Sequence, residues 1–135
     1  MTETLSSIKS YKTPLRYPGG KSRACKKMEP FFPDLRDYDV YYEPFLGGGS
    51  VALHITKKYP KLKIVVNDLY EPLYNFWLRL QVDGDYVHTQ FQKLKSRFTD
   101  LGSARGLFED SNEKLYDLDV SDKDRAVCFY IINKC

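Results

Sequence analysis

The stretch that most constrains this chain runs from Tyr38 to Asp68. Tyr38-Asp39-Val40-Tyr41-Tyr42-Glu43 is aromatic and β-branched and runs into Pro44 and three glycines, which predicts a strand closed by a tight turn. Ser50 stands at a helix-cap position, Val51, Ala52, Ile55 and Tyr59 share one helical face, and Pro60 stops the helix. Lys63-Ile64-Val65-Val66-Asn67-Asp68 then has the continuous apolar run of a buried parallel strand. Strand, helix and strand in this order form a β-α-β unit. Such a unit demands a parallel sheet with both faces covered, so the expected class is α/β.

The turn inside that unit carries the chemistry. Glu43-Pro44-Phe45-Leu46-Gly47-Gly48-Gly49-Ser50-Val51-Ala52 fits G-x-G-x-x-A at Gly47, Gly49 and Ala52. Glycine suits a backbone that must turn sharply and let a ligand approach, and a small residue lets the helix pack on the strand. Asp68 ends the second strand, nineteen positions after Gly49. A carboxylate placed there can accept both hydroxyls of a ribose. The combination points to an adenosine-type cofactor. The competing reading is a glycine turn that serves packing alone.

A second glycine segment lies upstream, Tyr17-Pro18-Gly19-Gly20-Lys21-Ser22. Its ending looks like a phosphate-binding loop, but G-x-x-x-x-G-K-[ST] needs glycine where Leu15 stands, and no strand leads into it. A nucleotide phosphohydrolase is therefore disfavoured. Two readings remain, a Pro-Gly turn with an exposed lysine and a loop that packs against a cofactor with an aromatic face, bare backbone and one cation.

With 135 residues, 42% hydrophobic and 15% aromatic, the chain is the size of one domain and has the apolar mass for a real core. Its charge is uneven: residues 1–36 carry eight Lys/Arg against three Asp/Glu, and the rest carry thirteen against fifteen. A basic leading segment suits an anionic partner or an ordinary solvated surface. No apolar run reaches a membrane span, the N-terminus lacks a signal-peptide core, and Cys25, Cys128 and Cys135 have no paired or metal-ligand spacing. A reduced cytoplasmic setting without a metal site is expected.

Along the chain, residues 1–13 read as a polar lead-in and Ser22 as the cap of a short helix closed by Pro30 and Pro33. Pro72 opens a helix bearing Leu73, Phe76, Trp77 and Leu80, and Val87, Phe91, Leu94 and Phe98 mark another. Residues 99–120 read as a polar, irregular loop or small insertion, with an acidic solvated face from Glu109 to Asp124. Ser121-Asp122-Lys123-Asp124 resembles a capping box ahead of a helix over Ala126 to Lys134. His54 and His88 fall within helices and have no partner pattern that would mark a catalytic role. Two strands fall short of the roughly five or six of a finished sheet, and the last helix reaches Cys135 without a stop signal. The expectation is a truncated domain.

Leu15-Arg16-Tyr17-Pro18-Gly19-Gly20-Lys21, Tyr42-Glu43-Pro44-Phe45-Leu46-Gly47-Gly48-Gly49-Ser50 and Val66-Asn67-Asp68 resemble, in order, spacing and wording, three motifs of the adenine-specific DNA N6-methyltransferases. The resemblance is to the group whose cofactor motifs precede the target-recognition region and a D-P-P-Y tetrapeptide. It covers residues 14 to about 80 well, and Phe129 to Lys134 is similar to the helix that leads towards target recognition. It implies a Rossmann-like methyltransferase fold and S-adenosylmethionine as cofactor. By the same resemblance, Tyr17, Gly20 and Lys21 would contact the methionine end and wall of the site. Glu43, Phe45, Gly47 and Gly49 would line the turn beneath the cofactor, and Asp68 would bind its ribose.

The departure is as informative. The seven prolines stand at 14, 18, 30, 33, 44, 60 and 72, so no two are adjacent and no D-P-P-Y exists within these residues. No catalytic residue is therefore expected in this chain. The implied organisation is a cofactor-binding subdomain over 14–98 and the start of a helical target-recognition region over 99–135. The expected partners are double-stranded DNA and a second chain or missing part carrying D-P-P-Y, in a bacterial or phage-infected cell. The rival is a non-catalytic cofactor- or DNA-binding remnant of such an enzyme.

Overall fold

The computed structural model describes residues 12–135, so most of the polar lead-in lies outside the described residues. The chain divides into two compact units, Met1–Asn67 and Asp68–Cys135, each described by itself.

In the first unit, strand β1 (Val40–Glu43) and strand β2 (Lys63–Val66) pair in parallel, with Val40 opposite Lys63 and Glu43 opposite Val66. Helix α1 (Cys25–Met28) precedes them, followed by two short 3-10 turns, Glu29–Phe31 and Leu35–Asp37. Helix α2 (Ser50–Lys58) is the crossover between the strands, which makes the β-α-β unit. Leu15, Cys25, Leu46, Ala52 and Ile55 form the buried core. Pro60 follows the helix end at Tyr59, where the residue before a proline is held away from helical angles.

Three local expectations are corrected here. Ser22 caps no helix: the residue before α1 is Ala24, and Ser22 Oγ lies 2.8 Å from Ser50 Oγ. Ser50 is the first residue of α2, not its cap, which is Gly49 in the left-handed region at φ 70°. β2 is not buried, since Ile64 and Val65 are half-buried and Val66 is exposed. The reason is that a two-stranded sheet packed against α2 does not cover both faces of its strands.

The second unit holds helices α3 (Glu71–Val82), α4 (Gly84–Arg97), α5 (Leu101–Leu115) and α6 (Asp122–Lys134). Pro72 sits in the first turn of α3, where its missing N–H has no cost. Helix α6 packs against the other three. Phe76 is fully buried, its ring 5.3 to 5.7 Å from those of Trp77, Phe129 and Tyr130. Buried Asn75 donates to the Asp122 carbonyl at 2.8 Å, which ties α3 to the start of α6. Ser121 caps α6 by accepting from the Asp124 N–H, as its capping-box pattern predicts.

The expected loop over 99–120 is also corrected, because most of it is α5. Asp100 caps that helix by accepting from the Ser103 N–H at 2.9 Å. Leu115 and the hydroxyl-bearing Ser111 are its buried residues, and Ser111 hydrogen-bonds with Cys128 on α6. Glycines at 102 and 106 and a serine in the core position dilute the apolar period.

Candidate functional site

The first unit brings the two glycine segments together. Tyr17-Pro18-Gly19-Gly20 closes as a turn, with the Gly20 N–H donating to the Tyr17 carbonyl at 3.0 Å and Gly19 at φ 70°. Proline second and a positive φ third define a type II turn. The turn aims the Tyr17 ring at the second segment. A Cβ at Gly47 would lie 3.0 Å from Tyr17 Cε1, and one at Gly48 only 2.8 Å from Tyr17 Cβ. Tyr17 therefore rests on bare backbone. Gly48 and Gly49 are buried there, while Tyr17 keeps 40% of its surface exposed.

Hydrogen bonds at the sheet end hold this surface in shape. The Asn67 N–H donates to the Glu43 carbonyl at 2.9 Å and extends the strand pairing by one residue. The Leu46 N–H donates to the Asn67 carbonyl at 2.9 Å, and Asn67 Nδ2 donates to the Pro44 carbonyl at 3.2 Å. Asn67 thus braces the turn from both directions. The Gly49 N–H reaches back to the Leu46 carbonyl at 2.9 Å, with Gly47 at φ 52°. Both positive values are cheap for glycine and strained for other residues.

Glu43 acts on the same turn from below. Its half-buried carboxylate accepts from the Ala52 N–H in the first turn of α2 and from the Tyr41 hydroxyl at 3.4 Å. Burial raises its pKa above the usual carboxylate value, and the two hydrogen bonds pull the other way. Burial, together with this carboxylate, pushes Tyr41 up to about 12. A carboxylate at a helix N-terminus satisfies an orphan N–H and matches the helix dipole.

The remaining expected residues fall as follows. Lys21 Nζ donates to the Gly19 carbonyl at 2.9 Å on an exposed surface. Phe45 stands 86% exposed at the turn. Asp68 opens the second unit, where one of its carboxylate oxygens accepts from the Tyr70 N–H at 3.1 Å. Gly48 and Asn67 were not singled out by sequence pattern. The PGGK and GGG segments are each visible in the sequence, but that Tyr17 of one covers Gly48 of the other is not.

The first unit is thus an α/β arrangement with a glycine turn between strand and helix, covered by an aromatic side chain. Residues 17–135 match the D12 class N6 adenine-specific DNA methyltransferases, and the chain belongs to that family. It is also similar to the Type II methyltransferase M.MjaIII of Methanocaldococcus jannaschii, at 26% identity over 129 residues, covering 89% of this chain and 44% of that protein. The chain thus spans less than half the length of this curated relative.

Proposed function

We propose that these residues carry the S-adenosylmethionine-binding part of a site-specific DNA adenine N6-methyltransferase. The observation that carries the reading is the packing of Tyr17 on Gly47 and Gly48, in a chain that belongs to this family. The residues present fit such a cofactor. Exposed Phe45 and half-covered Tyr17 offer apolar walls, the positive-φ glycines keep side chains out of the turn, and Lys21 offers a cation for a carboxylate. Gly20, whose Cβ would lie 3.0 Å from the Tyr17 carbonyl, keeps the upstream turn tight. Asp68 would accept the ribose hydroxyls. Glu43 serves by fixing α2 and the glycine turn.

S-adenosylmethionine supplies an electrophilic methyl group on a sulfonium. In the whole enzyme the target adenine of a DNA duplex would be extruded into a pocket and its amino nitrogen aligned with that group. These residues hold no D-P-P-Y, the tetrapeptide that contacts the adenine in this family. We further assign a Rossmann-like core, a cofactor subdomain over 14–98, the start of the recognition region over 99–135, and a cytoplasmic setting. Among the described residues no helix is long and apolar enough to cross a membrane.

The test is calorimetric titration of S-adenosylmethionine into the chain and into Lys21→Ala and Asp68→Ala. Each variant is expected to bind roughly tenfold or more weakly, the scale of a lost hydrogen bond to a charged group. Unchanged affinity in either would sink the assignment of that residue. The second reading is a non-catalytic cofactor- or DNA-binding remnant of such an enzyme. Methyl transfer from labelled cofactor to duplex DNA by the purified chain would exclude it.

A further inference from the structure

We infer that the basic cleft between residues 12–25 and α2 in the first unit binds a backbone phosphate of a nucleic-acid strand. The cleft has a volume of about 510 Å³, and Lys12, Thr13, Ser22, Arg23, Ser50 and Lys57 are among its lining residues. Three of these are cations, and among the described residues no carboxylate lines it. Lys12, Arg23 and Lys57 are exposed, and among the described residues none is held in an ion pair, although Arg36, Lys58, Arg105 and Lys114 all are.

Carboxylates on the neighbouring elements are already engaged. Glu29 is taken by Lys58, and Glu43 by Tyr41 and the Ala52 N–H. Among the described residues, the positive charge of the cleft is therefore uncompensated. The cleft also holds a spare donor. Ser22 Oγ and Ser50 Oγ share one hydrogen bond at 2.8 Å, which uses one hydroxyl proton and leaves the other for an external acceptor. Point-like ammonium groups, one guanidinium and a hydroxyl suit a phosphate oxygen.

The source of the phosphate follows from the proposed function, on which this inference rests. S-adenosylmethionine carries a carboxylate and no phosphate, so the cleft is surplus to the cofactor, whereas a DNA substrate presents a phosphate at every step. Such contacts fix the position of the strand and carry no sequence information.

The test is fluorescence anisotropy of a labelled duplex of arbitrary sequence across a salt series. It compares the wild-type chain, the double variant Arg23→Ala/Lys57→Ala, and Lys93→Ala/Arg97→Ala, which removes the same charge from the second unit. The cleft variant is expected to bind roughly 10- to 60-fold more weakly at 0.1 M salt, with a slope of log affinity against log salt shallower by about 1.8, two phosphates at about 0.9 each. The α4 variant is expected to change both far less. Equal loss in the two variants, an unchanged slope, or no duplex binding by the wild type would overturn the inference. Displacement of the duplex by low-millimolar inorganic phosphate would also overturn it, by assigning the cleft to a free anion. Cofactor titration of the same samples separates the layers. Normal cofactor binding with unchanged duplex affinity removes the cleft alone, and absent cofactor binding by the wild type removes the reading beneath it.

Discussion

Tyr17 and Gly48 form the contact on which the first unit's surface turns. A methyl group at position 48 would meet Tyr17 Cβ at 2.8 Å, and side-chain rotation does not move a Cβ, so Gly48→Ala must displace one of the two turns. The expected cost is about 1–3 kcal/mol of stability by urea denaturation, the usual range for overpacking. In a Tyr17→Gly background, which removes that Cβ, the cost should largely vanish, and a full cost there would show that the strain lies elsewhere. Glu43 gives a second residue-scale prediction. Its pKa is raised in the fold above the value of 4.5 it would otherwise have, so the folded state holds the proton more tightly than the unfolded chain. Its stabilising share is complete below the ordinary carboxylate range and falls as pH rises through the raised value. Glu43→Gln keeps an acceptor for the Ala52 N–H and should flatten that fall in a pH series of denaturation midpoints. A variant with the wild-type pH slope would contradict the assignment. The G-x-G-x-x-A pattern falls on Gly47 and Gly49, and the structure places both at positive φ. The tightest glycine was not legible, because its partner lies thirty-one residues upstream and no local spacing encodes that approach.

At the scale of elements, caps and periodicity did most of the work. Pro72 and the Ser121 box mark helix starts that the structure keeps, and Leu73, Phe76 and Val87 are buried as their spacing predicts. Ser121→Ala should cost about 1 kcal/mol by removing the acceptor for the Asp124 N–H. Phe76→Ala should cost about 3–5 kcal/mol and broaden unfolding of the second unit, because its ring touches three others. A thermal melt would read both, and a Phe76→Ala chain as stable as wild type would refute this account of that core. Helix α5 was illegible for a physical reason. Its buried face includes Ser111, held by Cys128, so a polar residue occupies a core position where periodicity looks for an apolar one. The Asp100 cap was the signal that could have found it. The misjudged burial of β2 has a different origin. An apolar run reports what a strand prefers, and how much of it is covered depends on neighbouring elements.

Across the whole molecule, charge and family point the same way. The leading segment is basic, and three of its or α2's cations line one cleft that among the described residues has no carboxylate, which gives an uneven field a definite place. The α/β class and the family were legible because three motifs stand in the right order within residues 14–68, and the family match extends from residue 17 to 135. The central claim is that the Tyr17 turn and the glycine turn form one cofactor surface. The most direct measurement is amide chemical-shift mapping during titration of S-adenosylmethionine into the isotope-labelled chain. Saturable shifts at Gly20, Lys21, Phe45, Gly47, Gly49 and Asp68 are the predicted result. Saturable shifts that avoid these residues, or none at millimolar cofactor, would contradict it.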